Sequence, residues 1–409
     1  MAKINDRFHT IFNASITGQQ IYFLAFAFYF VPAFLIDTTF TQFLSWSKLR
    51  LLTYIAIPLI IFKIYVVDRR HWPSLLLITV LILIGVVAWR AAHYPEILMM
   101  MLFVLGAKDV PLRKIIQWYF YLSLVFMLIL AVIAIVGIIP NLIYYSKLRP
   151  TRYSLGMAYT TFVASHIIYI ALAYCYLRFN KLNWLDYLGI FVVAFIALKL
   201  TNTRLDFYEM LLLIPIMWIA QRAQRGKRYS QIFASFWWIA TPLLAAITVI
   251  GAYFYDSSNN IYQKLNSLFT GRLSLSYEAF QRYPVSLFGR KIVEHSYGGA
   301  KGVKFANDNL YELSAHYFYI DSAYVRMLLL WGGIVFLLVL GGIIYITVRE
   351  TAMRRFALPA IFVLIAINAM FEPHILQLIY NPFLLAILAT NESPKLMMER
   401  KHEQKFNIK

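Results

Sequence analysis

At 409 residues, 61% of them hydrophobic and only 14% charged, with a mean hydropathy of +0.65, the chain excludes a soluble globular domain and implies repeated membrane spans. A net charge of +19 would point to nucleic acid in a soluble protein, but in so apolar a chain it points to basic loops that set orientation in a bilayer, and no nucleic-acid partner is expected. The single cysteine, Cys175, lies inside an apolar run, which excludes an intramolecular disulfide and a cysteine metal cluster.

The first twenty residues are polar for too long, and lack the small-residue cleavage site, to read as a removed leader, so the first span is expected to be retained. Apolar runs then predict twelve spans, near 20–36, 49–67, 72–89, 94–107, 115–139, 157–177, 184–199, 206–220, 230–253, 322–348, 356–371 and 375–389. Segments of about ten residues with alternating polarity, the mark of an outer-membrane barrel, do not recur. The expected fold is therefore an all-α polytopic membrane protein with about 12 transmembrane helices and one long outer loop. It divides into an N-terminal bundle over 1–253, an outer-face loop with short amphipathic helices over 254–321, and C-terminal helices with a basic tail over 322–409.

Orientation follows from the short connections. With the N-terminus inside, the inner segments carry 21 Lys and Arg and the short outer ones 6, which puts both termini in the cytoplasm. Half of those 6 sit in one place, Lys147, Arg149 and Arg152 of "KLRPTRYSLG". Outer loops are normally depleted of cations, so this cluster asks for an anionic partner on the outer surface. "LTNTRLD" around Arg204 and "FTGRLS" with Arg272 add outward arginines, whose planar guanidinium suits phosphate. Any one of them can equally be a residue snorkelling to the interface; the set carries the argument.

Among the acids, Asp206 and Glu209 stand one turn apart, with Asp206 expected to pair with Arg204 or cap its helix. Asp321 precedes Ser322 and could cap the next helix. Glu278, Glu294 and Asp308 read as solvated loop residues. His295 and His316 lie in the long outer loop and His166 in the sixth span; no clustered ligand set or HExxH motif suggests a metal. From Tyr262 to Phe280, apolar residues at helical spacing predict an amphipathic helix on the bilayer surface. The loop tyrosines Tyr277, Tyr283, Tyr297, Tyr311, Tyr317 and Tyr319 could stack on sugar rings, and "KFANDNLYEL" reads as a sugar contact or a turn-rich connector.

The order and sidedness of "RPTRYSLG", "LTNTR", "TGRL" with "YEAFQRYPVSLFG", and "YIDSAYVRMLLLWGGI", together with "MMMLFVLGAKDV", resemble the Wzy-type polysaccharide polymerases of the O-antigen polymerase and ligase group. The likeness runs over nearly the whole chain through short, degenerate motifs, and the second basic cluster usual in the large outer loop is scattered here from Lys264 to Lys304. The resemblance implies a C-type glycosyltransferase architecture in the bacterial cytoplasmic membrane with its active site on the outer face. The implied substrate is an undecaprenyl-pyrophosphate-linked oligosaccharide, with a flippase and a chain-length regulator as partner proteins and no cofactor or metal. Under it Arg149, Arg152, Arg204, Arg272 and Arg290 would hold the pyrophosphate, and His295 or Asp321 would take the proton of the attacking hydroxyl. A ligase of the same group shares these features. A flippase or exporter would need charges deep in many spans, where the sequence offers chiefly Lys63 and Lys199, and a non-catalytic scaffold would need no outward arginines.

Overall fold

A computed structural model of the protein describes residues 17–145, 150–307 and 317–390. In chain order the helices are α1 (Gly18–Ile36), α2 (Trp46–Val67), α3 (Trp72–Ala92), α4 (Glu96–Gly106), α5 (Leu112–Ile135), α6 (Thr160–Lys181) and α7 (Trp184–Thr201). Then follow α8 (Arg204–Gln224), α9 (Arg228–Tyr253), α10 (Asn260–Leu268), α11 (Arg272–Arg282), α12 (Gly299–Asn307), α13 (Ala323–Ala352) and α14 (Ala357–Asn368). Eight of these, α1, α2, α3, α5, α6, α7, α9 and α13, are long and apolar enough to cross a membrane. The protein is thus a helical membrane protein.

Local chemistry sets several boundaries. Thr17 and Gln20 close a reciprocal capping box at the start of α1, and Asn183 with Asp186 does the same for α7. Asn202 ends α7 in the left-handed conformation that asparagine tolerates. The last turn of α2 and the second turn of α13 widen into π-helical segments, Lys63–Val67 and Met327–Trp331.

Of the four remaining expected spans, 206–220 is helical as α8, but it carries Arg204, Asp206, Glu209 and Arg222. Spans 94–107 and 356–371 are the helices α4 and α14 of only 11 and 12 residues. At about 1.5 Å per residue these reach little more than half of a ~30 Å hydrocarbon core. The last, 375–389, forms no α-helix: it holds two short 3₁₀ turns, His374–Leu376 and Phe383–Ile387. Its chain is almost wholly buried, and Asn381 satisfies part of the freed backbone, donating to the carbonyl of Ile375 and accepting from the amide of Phe383. Non-helical backbone at membrane depth is tolerated where protein surrounds it in this way.

The helix termini gather at two ends. At one, Lys63 and Arg70 share Asp68 at 2.8 and 2.9 Å, Lys63 also donates to the carbonyl of Lys108, and Leu112 takes the carbonyl of Thr390. Arg349 reaches the carbonyl of Ala386 and Gln224 reaches the amide of Phe356 at this same basic end. The opposite end holds the start of α6, α8 and α13 and the finish of α7 and α14. There a two-residue antiparallel ladder pairs β1 (Ile143–Tyr144) with β2 (Arg152–Tyr153).

The described parts of the long segment, 254–307 and 317–321, pack on this second end. Its 286–290 stretch is bonded to the π turn of α13, with the Arg290 amide on Leu330 and the Gly333 amide on Ser286. The approach needs glycine twice: a Cβ on Gly289 would meet the Leu330 carbonyl at 2.0 Å, and one on Gly332 the Leu287 carbonyl at 2.3 Å, both at positive φ. Asn307 of α12 grips β1 through the Tyr145 amide and the Ile143 carbonyl. The expected single amphipathic helix over 262–280 is two, α10 and α11. They are broken at Thr270 and Gly271, which take φ of 53° and 86°.

Candidate functional site

Arg152 is placed by the ladder. Its Nε donates to the carbonyl of Thr201, at the last turn of α7, its Nη2 to the hydroxyl of Thr160, at the first turn of α6, and its guanidinium lies 5.4 Å from the ring centre of Tyr159. The side chain is half-buried and has no carboxylate in an ion pair among the described residues. Two of its three guanidinium nitrogens are committed, and Nη1 is left with none of these partners.

Arg272, first residue of α11, is committed on all sides. Nε donates to the Phe371 carbonyl at 2.7 Å and faces Asp321 at 3.6 Å, Nη2 meets Glu372 at 2.9 Å, and Nη1 reaches the Thr270 hydroxyl. Burial disfavours its charge, yet Asp321 and Glu372 more than offset this and hold the guanidinium above its usual range. The acids feel the same burial: it raises the Asp321 carboxyl against the pull of Arg272, and it lifts Glu372 well above the usual carboxylate range. Asp206 lies buried in the field of both Arg272 and Arg152.

Behind Glu372 a column of polar groups runs into the bundle. Its carboxylate stands 3.6 Å from Nε2 of His374, whose ring stacks on Tyr380 at 3.8 Å; His166 stacks on the same tyrosine at 4.0 Å. The Tyr380 hydroxyl donates to Asp37 at 3.0 Å. Glu209 accepts from Asn368, which in turn accepts from Tyr169. Several of these buried atoms have no hydrogen-bond partner: Oδ1 of Asp206, Oε1 of Glu209, Nε2 of His374 and both ring nitrogens of His166. Beside Arg152 stand tyrosines: Tyr159 meets Tyr144 edge-on at 5.2 Å, and Tyr297 stacks on Tyr317 at 4.6 Å, with the Tyr144 hydroxyl donating to the Tyr297 carbonyl. Burial raises the Tyr317 phenol well above its usual range.

Of the residues singled out from sequence, Arg152, Arg272 and Asp321 come together here. Arg204 is exposed at the start of α8 and makes no ion pair among the described residues, so the expected Arg204–Asp206 pair is replaced by the approach of Arg152 and Arg272. Ser322, rather than Asp321, caps α13. Arg290 sits by the π turn, its Nε buried without a partner, and His295 is exposed, its backbone bonded to Phe318. Glu294 is not solvated: it pairs with Arg326 at 2.6 Å, accepts from the Ile320 amide and the Tyr94 hydroxyl, and ties the long segment to α13 and to the connection between α3 and α4. Tyr319 lies against Arg326, Tyr283 against Phe318 and Tyr277 against Tyr255. Lys147, Arg149, Asp308, Tyr311 and His316, with part of "KFANDNLYEL", lie outside the described residues.

Sequence reasoning missed Glu372, Asn368, His374 and Thr160. The signal was present in "FEPH", Phe371–His374, where a glutamate, a proline and a histidine interrupt two apolar runs. Deep titratable groups are also more numerous than expected: Lys63 is buried, but Lys199 is exposed against Phe195 while Asp206, Glu209, Glu372, His166 and His374 are buried. A cavity of about 530 Å³ lies between α9 and α10, lined by Ile247, Ile250, Gly251, Ile261, Tyr262 and Leu265. Comparison with protein-family models, curated proteins and solved structures finds no match to the chain.

Proposed function

We propose that the protein is a membrane glycosyltransferase of the polysaccharide polymerase type. It joins undecaprenyl-pyrophosphate-linked oligosaccharide units on the outer face of the cytoplasmic membrane and releases undecaprenyl pyrophosphate. One observation carries the reading. Arg152 is held half-buried at the end of the bundle away from the basic one, oriented by a carbonyl, a hydroxyl and a ring, with no carboxylate in ion-pair contact among the described residues. An oriented guanidinium that is not tied up in an ion pair is what an anionic headgroup needs.

The chemistry asks little more. The pyrophosphate leaves with the electron pair of its bond to the sugar, and positive charge fixed where that negative charge develops lowers the barrier. In this scheme Arg152 meets the departing phosphate. Arg272, committed to Asp321 and Glu372, serves to hold those carboxylates in place and is not itself a free anion ligand. The rings of Tyr159, Tyr297 and Tyr317 give flat apolar faces of the kind sugar rings pack on.

The test is incubation of the purified protein with undecaprenyl-pyrophosphate oligosaccharide, without nucleotide sugar or added metal, and separation of the products on a gel. The expected result is a ladder spaced by one repeat, absent in Arg152→Ala at equal protein level. A ladder unchanged in that variant overturns the assignment of Arg152, and transfer of the glycan to a different acceptor turns the reading to the ligase. The buried acids and histidines favour a second reading, a flippase or exporter, because such groups mark pathways through membranes. It predicts movement of the lipid-linked glycan across vesicle membranes with no ladder.

A further inference from the structure

We propose that Asp206 and Glu209 form a proton-binding pair behind Arg152 and Arg272, and that this pair receives the proton displaced from the attacking hydroxyl.

The argument starts from position. Residues three apart on a helix share a face, so α8 presents both carboxyls to the same neighbours. Those neighbours are Asn368 of α14, which donates to Glu209 at 2.8 Å; Tyr169 of α6, bonded to that same asparagine; and, beyond α14, Glu372 with His374. Toward the outer end stand Arg152 and Arg272 with Asp321.

Counting charge then forces a proton. Four carboxyls, Asp206, Glu209, Asp321 and Glu372, share one buried region with two guanidiniums, of which Arg272 is already bound to Asp321 and Glu372. A buried charge without a partner costs several kcal/mol, and two neighbouring buried carboxyls settle this by keeping a proton between them. Both arginines act on Asp206, whereas Glu209 has only an amide. On this proposal Glu209 carries the resting proton and Asp206 is the acceptor.

The unpartnered atoms agree. Oδ1 of Asp206 and Oε1 of Glu209 are each buried without a hydrogen bond in residues 4% and 2% exposed. Independently, Nε2 of His374, in a residue 1% exposed, is aimed at Glu372 from 3.6 Å and has no hydrogen bond either. Among the described residues no three His, Cys, Asp or Glu are arranged to hold a metal ion. A proton satisfies such a place with a single oxygen.

The step balances. The acceptor hydroxyl loses its O–H bond and the proton passes to the Asp206 carboxylate. The oxygen's electron pair forms the new bond to the sugar carbon, and the bond from that carbon to pyrophosphate breaks with its pair going to the phosphate. This role rests on the polymerase reading; the existence of the proton pair does not.

Infrared spectra of the purified protein near neutral pH separate the two. The expected result is a protonated-carboxyl carbonyl band that shifts in heavy water and is lost from the spectrum of Glu209→Gln. Asn368→Ala, which removes the donated hydrogen bond but keeps the acid, should move the band without abolishing it. A band of equal intensity in Glu209→Gln, or no such band in the wild type, overturns the pair whatever the ladder assay shows. Asp206→Asn should then slow ladder formation about 10²–10⁴-fold, the usual yield of a positioned proton acceptor, with little change in KM. An unaltered rate in that variant overturns the role while leaving the proton pair. A band present in a protein that forms no ladder overturns the role together with the polymerase reading.

Discussion

Asp37 shows how much one residue's surroundings decide. It follows the last turn of α1, and burial pushes its carboxyl up to about 7, against the hydrogen bond donated by Tyr380, with Glu96 adding to the rise. An unfolded aspartate titrates near ~4, so between about 4 and 7 the folded protein binds more protons at this site than the unfolded chain does. Its contribution to stability is complete below that window and is lost as pH rises through the folded value. His374 runs the other way. Burial pushes it down to about 3, so below the ordinary ~6.5 of histidine the unfolded chain gains the proton and stability rises with pH. The raw pH curve therefore mixes opposing slopes, and a difference isolates Asp37. Asparagine imitates the protonated acid, so the melting temperature of Asp37→Asn in detergent should gain on the wild type between about pH 4 and 7 and stay level above. A difference that does not vary with pH would mean that Asp37 is ionised throughout.

At the scale of elements, hydropathy reports avoidance of water and not the form of the backbone. That is why runs such as 72–89 and 230–253 were legible as helices: their length left no other way to satisfy so many peptide groups. The run 375–389 is equally apolar and becomes irregular, because Pro373 and Pro382 remove donors and surrounding helices supply a buried place for the turns. Asn381, the polar residue beside Pro382, was the readable sign, since it substitutes for the missing helix bonds. The same limit applies to 262–280, where helical spacing continues through a break that only Gly271, in left-handed geometry, gives away. Asn381→Ala leaves the Ile375 carbonyl and the Phe383 amide without this partner in a buried place. It should cost about 1–3 kcal/mol, the usual penalty of a buried group left unmade. Thermal inactivation of the purified protein measures it, and a loss equal to that of an exposed alanine substitution would show that the segment does not depend on its asparagine.

Over the whole molecule, the site is assembled from chain positions that a linear reading sees as unrelated. Arg272 finds Glu372 a hundred residues away, and Arg152 binds the ends of α6 and α7. Sidedness marks Arg152, a cation that stands against the orientation bias in a short connection; Arg272 joins it as a further arginine on the same side, and Asp321 enters only through the resemblance. Glu372 escaped because its short loop holds no Lys or Arg to count. The same sidedness gives the last prediction. The end carrying Lys63, Lys108 and Arg349 is the one the charge bias assigns to the cytoplasm, so the end carrying Arg152 is predicted to face outward. Cys175 is buried, leaving a quiet background for labelling with a membrane-impermeant maleimide. In intact cells Ser258→Cys, exposed in the long segment, should label at once, and Lys227→Cys, exposed between α8 and α9, only after the membrane is opened. The reverse pattern would place Arg152 and the buried carboxyls behind it on the cytoplasmic side, and a polymerase drawing lipid-linked units from the outer leaflet could not then use them.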